Sequence, residues 1–304
     1  MLCAAHTSPP PVAIGGLGGS GTRVFSALLQ AAGLYMGSCQ NRPLDNLWFT
    51  ILFKRAAWAR SPAPASLDPD DVATSVRLFT RAMTTGLADG VPDEEIALLE
   101  QLRNDLPPIG NWHCGAISSY FDTLLTSKVD TVDLQRPWGW KEPNTHIFLP
   151  HLDRLIDDLR YIHIVRDGLD MAFSDNLWQM IHWSHLYGLT HTPDTAMPLR
   201  QLRFWTAANH AAIEYGRTKM QGRFLLIQYE DFCAQPHVYR DRIEQFIGQP
   251  IHSSLTDKLV RPTTIGRAED HNLSLFPNND LQNARSLQTL IGDLKEGPSG
   301  FNSH

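Results

Sequence analysis

Cysteine is scarce in this chain of 304 residues. There are four, Cys3, Cys39, Cys114 and Cys233, and no two of them form a CxxC pair. Disulfide frameworks and zinc sites need closer or more regular spacing, so the expectation is reduced thiols in a cytoplasmic protein. Long apolar runs are missing as well; none approaches the ~20 residues that a membrane span requires. Positive charge is not in excess. The formal net charge of −6 argues against general nucleic-acid binding, which calls for a basic surface. Any polyanion bound here must be held by a local cluster of donors. The opening stretch, Met1 to Pro11, lacks the basic start and apolar core of a secretory signal and reads as a short disordered arm.

What is present suits a sizeable core: 42% of residues are hydrophobic and 19% charged. The expectation is one α/β domain over residues 12–304, built on a mainly parallel sheet with helices on both faces. Val12-Ala13-Ile14 reads as a buried strand that runs into a glycine-rich turn, Gly15 to Thr22. Val24, Phe25, Leu28, Leu29 and Ala32 then recur at helical spacing, and Gly33 supplies a stop. Residues 41 to about 133 are helical and irregular, a predicted insertion over one end of the sheet. The core pattern resumes with Trp138-Gly139-Trp140 ending a strand and a helix from Ile147 to Leu159. A strand over Tyr161–Val165 and a helix over Gly168–Ile181 follow. A helix from Leu199 to about Arg217, a strand over Phe224–Gln228 and a helix over Asp241–Ile247 complete the reading.

The strand–glycine loop–helix unit has a physical meaning of its own. Glycines let backbone N–H groups converge on an anion, and the helix adds its N-terminal partial charge. Five glycines in seven residues, Gly15 to Gly21, make a ligand-free turn the weaker reading. A Walker A loop would need GxxxxGK[ST]. From Gly16 the second glycine falls at Gly21, but Thr22 stands at the lysine position and Arg23 at the hydroxyl position. The usual phosphate lysine and Mg²⁺ ligand are both absent, which disfavours an ATP-dependent kinase. A second segment, Tyr161 to Ser174, delivers Arg166 from a strand end, where open α/β sheets bind ligands. With Ser174 on the next helix, a guanidinium fork and a hydroxyl can meet one phosphate. Taken alone, Arg166-Asp167 after a strand is more simply a surface ion pair.

Together the two segments are specific. Gly19-Ser20-Gly21-Thr22 after the first strand, and Val165-Arg166-Asp167 with Asp170 and Ser174 after a later one, resemble the two signatures by which the sulfotransferase superfamily binds 3′-phosphoadenosine 5′-phosphosulfate (PAPS). Trp140-Lys141-Glu142-Pro143-Asn144 is similar to the Lys-Asp-Pro element of tyrosylprotein and bacterial sulfotransferases. Tyr229-Glu230-Asp231-Phe232 resembles the family's Tyr-Glu-Asp-Leu segment, and Arg261-Pro262 with Ile265-Gly266-Arg267 loosely resembles its C-terminal phosphate loop. The resemblance spans about Val12 to Asp231, with elements in family order. It implies a P-loop-like core, PAPS as co-substrate, adenosine 3′,5′-bisphosphate as product, and in-line transfer without a metal. The acceptor implied is a hydroxyl or amine of a small molecule, lipid or sugar. On this resemblance Gly18, Gly19, Ser20, Gly21, Thr22 and Arg23 hold the 5′-phosphosulfate, and Arg166 and Ser174 the 3′-phosphate. Tyr229, Gly266 and Arg267 complete the nucleotide site.

One departure matters. The family commonly has a lysine or arginine directly before Ser-Gly-Thr, and here that position is Gly19. Either another cation faces the leaving oxygen or the chain is a weakened member that binds nucleotide. Lys141 leads as the replacement because it matches the Lys-Asp-Pro lysine. Arg23 is second, since a cation tolerated at a helix N-terminus opposes the dipole and points to an anion nearby. Three residues compete as general base: Asp45, near where tyrosylprotein sulfotransferases carry a glutamate; His113; and Glu142, which beside Lys141 could instead orient that lysine. His182 and His185 stand at a spacing metals can use, with His163 and His191 on either side, but no third ligand is suitably placed. No metal is expected. The aromatics of that stretch, Trp178, Trp183 and Tyr187, suit either an acceptor pocket or a packed helix end.

Overall fold

The computed structural model describes residues 9–59, 67–88, 90–104, 117–130, 136–252 and 265–296. Four strands form its sheet: β1 (Val12–Gly16), β2 (Gly139–Lys141), β3 (Arg160–Val165) and β4 (Phe224–Gln228). Their order is β2-β1-β3-β4 and every pairing is parallel. Ile14 lies opposite both Lys141 and Ile162, and Gly16 opposite Ile164. This register brings the carboxyl ends of all four strands to one edge, so Leu17, Glu142, Arg166 and Tyr229 each leave the sheet on the same side.

Alternation along the strands fills two cores. Val12, Ile14, Ile162, Ile164 and Ile227 face α1 (Thr22–Ala31) and, later in the chain, Tyr239, Ile243 and Phe246. Ala13, Trp140, Tyr161 and Val165 face the opposite layer. Between α1 and β2 the chain forms α2 (Leu47–Phe53), α3 (Ala56–Ala59), α4 (Pro69–Thr84), α5 (Asp93–Asn104) and α6 (Ile117–Leu125). The helix α2 is capped by Asn46, whose side chain accepts from Phe49 N at 3.0 Å, and all seven of its residues are buried. Phe49 stacks on Trp140 at 6.0 Å and Phe79 meets it edge-on at 5.1 Å. The expected helical insertion therefore packs along the β2 edge, and Asn46 N donates to Lys141 O at 2.8 Å to tie it to that strand's carboxyl end.

After β2 come α7 (Thr145–Leu155), β3, α8 (Gly168–Ala172), α9 (Trp178–Trp183) and α10 (Met197–Lys219); β4 is followed by α11 (Tyr229–Ala234), α12 (Pro236–Ile247) and α13 (Asn278–Glu296). The sequence reading ran one helix from Gly168 to Ile181. The structure corrects this to two short helices, because the carbonyls of Ser174 and Asn176 are claimed by the Gln201 side chain of α10 rather than by a continuing helix. Of the expected N-terminal arm, residues 1–8 lie outside the described residues, while Pro11 is buried and its carbonyl accepts from Arg160 N.

Candidate active site

The glycine loop closes on itself. Ser20 is 1% exposed, and both its N–H and its hydroxyl donate to the Leu17 carbonyl. Gly19 has φ +102° and Gly21, the N-cap of α1, has φ +92°. Both are left-handed conformations that a side chain resists. A Cβ on Gly21 would also collide with the Tyr229 ring, so the tyrosine lies directly against the loop. The N–H groups of Gly19, Gly21, Thr22 and Arg23 meet no acceptor among the described residues. Four such donors at a helix N-terminus make a concavity suited to an anion. Gly18 N is different: it donates to Gln179 Oε1 at 2.6 Å.

Lys141 and Asp45, chosen separately from the sequence, form one ion pair. The lysine ammonium donates to Asp45 Oδ1 and, at 3.0 Å, to Pro43 O, with its side chain 2% exposed. Burial pushes the Asp45 carboxyl up, but the charges of Lys141 and Lys54, with hydrogen bonds from Lys141 and Asn41, outweigh it and hold the group below its ordinary value. A carboxylate so stabilised is a poor proton acceptor. Glu142 does not orient Lys141, one role the sequence left open. It turns the other way, pairing with Lys54 at 3.0 Å and accepting from Asn144 N at 2.6 Å. Lys54 also sits over the Trp178 ring at 4.7 Å. His113 lies outside the described residues.

Asn144 links this cluster to the loop. Its Oδ1 accepts from Gln179 Nε2 and Trp183 Nε1, both at 3.0 Å. An unbroken chain, buried at Glu142, Asn144 and Gln179, thus runs from Lys54 to Gly18 N. Sequence reasoning missed Lys54 and Gln179. Lys54 carried a faint signal, as the first charge after α2, which is apolar except for Thr50; Gln179 had none beyond a polar residue beside Met180.

On the other side of β1, Arg166 is buried at the end of β3. Its Nη2 lies 3.4 Å from Asp170 Oδ2 and its Nε 3.6 Å from Glu230 Oε1. Asp170 also accepts from Gly266 N at 2.8 Å and Ala268 N at 2.9 Å, while Arg267 donates to Phe173 O at 3.3 Å. Gly266 and Arg267 are thereby brought beside Arg166, while Arg261 and Pro262 lie outside the described residues. Ser174 does not project from a helix, as expected, but sits two residues past the end of α8. Its hydroxyl lies 3.7 Å from where a Cβ on Gly19 would be, which puts it against the glycine loop, whereas the sequence groups it with Arg166. Arg23 is exposed at the start of α1 and has no ion-pair partner among the described residues.

The histidines divide differently. His163 is fully buried in the sheet, bonded to the Tyr161 hydroxyl and to Asn209 Oδ1, and burial pushes its pKa down to about 3. It is a neutral core residue. No group of three or more metal-ligating side chains occurs among the described residues, and none of their helices is long and apolar enough to cross a membrane.

A family model described as "Sulfotransferase family" matches residues 10–253. Among solved structures, the sulfotransferase domain of the Synechococcus PCC 7002 olefin synthase superposes with a TM-score of 0.50, at 19% identity over 94% of this chain and 97% of that one. A sulfotransferase from Mycobacterium tuberculosis H37Rv gives 0.46 at 13% identity, covering 92% and 77%. One from Alicyclobacillus acidocaldarius gives 0.45 at 15% identity, covering 94% and 97%. No curated protein matches the sequence.

Proposed function

The chain belongs to the sulfotransferase family, and from that premise we propose that it moves a sulfuryl group from PAPS to a hydroxyl or amine of a small molecule, lipid or sugar. One observation carries the reading: the parallel register gathers the open loop amides, Lys141 and Arg166 at a single sheet edge. The residues fit the donor. Four N–H groups that meet no acceptor among the described residues suit its 5′ end, and Arg166 suits its 3′-phosphate. The Ser174 hydroxyl, expected beside Arg166, lies by Gly19 and suits the 5′ end instead, and Tyr229 packs against the loop and near the arginine. When bound, PAPS supplies the sulfuryl group and a phosphate leaving group.

The protein's part is positional and electrostatic. Backbone donors fixed by the Ser20–Leu17 closure hold charge without reorganising, which is where such sites gain most of their rate. Lys141 is a buried cation on the strand paired with β1, opposite Ile14, and it takes the role that a loop lysine has elsewhere in the family. Asp45 acts as its counterion and holds it in place. Glu142, with both oxygens engaged, fixes Lys54 and Asn144 rather than accepting an acceptor's proton. The cytoplasm remains the proposed location.

The test is transfer of label from radiolabelled PAPS to a panel of alcohols, amines and sugars, in the presence of EDTA. Label transfer that survives the chelator is the expected result. Phosphoryl transfer from ATP restored only by Mg²⁺ would return the chain to the kinase reading, and nucleotide binding with no transfer to any acceptor would make it a binding module.

A further inference from the structure

Within the proposed nucleotide reading, Arg166 poses a charge problem. The side chains of Arg166, Asp170 and Glu230 are only 7%, 4% and 18% exposed, and both carboxylates lie against the one guanidinium. A third carboxylate stands next to them: Asp167, whose oxygens accept from Asp170 N and from Gln288 of α13. Among the described residues, this guanidinium therefore faces two carboxylates with a third beside them in a nearly dry site. A phosphate dianion delivered to Arg166 would add two more negative charges where solvent screens them poorly.

The three carboxylates are not equally able to yield. Asp170 is fully engaged by Arg166, Gly266 N and Ala268 N. Asp167 caps α8 with one oxygen and takes Gln288 with the other. Glu230 accepts from Asp167 N through Oε1 at 2.9 Å, but its Oε2 is buried without a hydrogen-bond partner among the described residues. A buried carboxylate oxygen with no donor is the place where a proton relieves most strain, since the neutral acid has lost its charge and gained a donor.

We propose that Glu230 is a specificity-determining residue of the nucleotide site: it takes up one proton from solvent when a 3′-phosphate reaches Arg166, releasing the guanidinium to the phosphate. Only an O–H bond forms, at Oε2. Burial already raises the Glu230 carboxyl above its ordinary range and Asp167 adds to the shift, against the hydrogen bonds from backbone N–H groups and the charge of Arg166. The titratable groups around it are Arg166, Asp167 and Asp170 from the β3–α8 junction and Tyr229 and Cys233 from its own helix α11, while α13 contributes the uncharged Gln288. The sign follows. A group that binds a proton with the ligand makes affinity fall as pH rises, by up to about tenfold per pH unit. A nucleotide lacking the 3′-phosphate brings no such linkage.

Calorimetric titration of the full chain with adenosine 3′,5′-bisphosphate, in two buffers of different ionisation enthalpy, counts the protons. It is done at about pH 8, where a phosphate monoester with a second pKa near 6 is already a dianion and contributes little. The expected result is uptake of roughly one proton by the native chain, none with adenosine 5′-monophosphate, and none in Glu230→Gln. Glu230→Gln should bind the bisphosphate at least as tightly at that pH, with a dissociation constant that no longer rises with pH. Equal uptake in both proteins, or no uptake and no pH dependence in the native chain, overturns the proposal while leaving nucleotide binding intact. The native proton count and pH slope stand even where the variant folds poorly. No binding of the bisphosphate by the native chain at any pH would sink the nucleotide reading itself, and the proposal with it.

Discussion

Two buried cations flank β1, one at the end of each neighbouring strand, and they are built in opposite ways. Lys141 on β2 is matched by Asp45, and the adjacent Lys54 is matched by Glu142, so two positive charges meet two negative ones. Arg166 on β3 faces Asp170 and Glu230, with Asp167 beside them. The first cluster is balanced and tied into the Asn144–Gln179 chain that reaches the loop. Among the described residues the second carries an excess of negative charge, to which an incoming phosphate would add, so the proposed proton uptake at Glu230 is what relieves it. On the proposed function the difference is a division of labour: the Lys141 side is ready before ligand arrives, and the Arg166 side is completed by the ligand together with a proton.

The largest effects should come from breaking the balanced side. If Lys141 has the proposed role, Lys141→Met should lower turnover by about 10²-fold or more through loss of a fixed charge at the leaving oxygen, while affinity for adenosine 3′,5′-bisphosphate changes little. It also strands Asp45, and removing one partner of a buried pair typically destabilises by about 3–5 kcal/mol. The double variant Lys141→Met with Asp45→Asn should regain most of that stability in denaturant melts but none of the turnover. Recovery of both would make Lys141 a structural residue. The acid limb sharpens the point. The Asp45 carboxyl is depressed in the folded state, so its stabilisation is present above the unfolded value of about 3.9 and lost as pH falls through the folded one. The stability gap between the native chain and Asp45→Asn should close in that acid range.

Next in size is the binding side. Arg166→Ala should weaken the 3′-phosphorylated nucleotide by about 1.5–3 kcal/mol, as expected for a lost charge-assisted bond. Adenosine 5′-monophosphate should be nearly unaffected, and equal weakening of both ligands would remove Arg166 from the 3′ site.

Smaller again is the loop. Gly19→Lys restores the basic residue usual in the family, yet its φ of +102° makes any side chain cost about 1–2 kcal/mol. It should lower the melting temperature and fail to rescue Lys141→Met; a rescue would show that the loop relaxes. The smallest expected change is Arg23→Ala, a rise in KM for PAPS of a few fold, since this arginine is exposed at the start of α1. Abolished turnover there, with Lys141→Met active, would reverse the two roles.

The strands and the glycine loop were legible because each is contiguous: β3 and β4 lie within a residue of their expected bounds, and β1 runs two residues further, to Gly16. The same holds for the loop, Lys141 and Arg166, which local pattern places at strand ends. What escaped depends on pairings across the chain. Glu142 looks like a partner for Lys141 in sequence, but neighbours in a strand point to opposite faces, and the structure gives it to Lys54. The break after α8 is imposed by Gln201 from α10, 25 to 27 residues away. Gln179 on Gly18 N spans 161 residues, a distance over which no periodicity speaks. The helix α13 went unread because its buried Ala284, Leu287 and Ile291 are sparse among polar residues.

The most direct test of the central claim is a thermal melt of the full chain with adenosine 3′,5′-bisphosphate, set against ATP with Mg²⁺. A ligand that binds only the folded state, supplied at a hundred times its dissociation constant, adds about 2.7 kcal/mol. The expected result is a dose-dependent rise in melting temperature with the bisphosphate, unchanged by EDTA, and no comparable rise with ATP and Mg²⁺. A rise with ATP and Mg²⁺ alone, and none with the bisphosphate, would contradict the assignment.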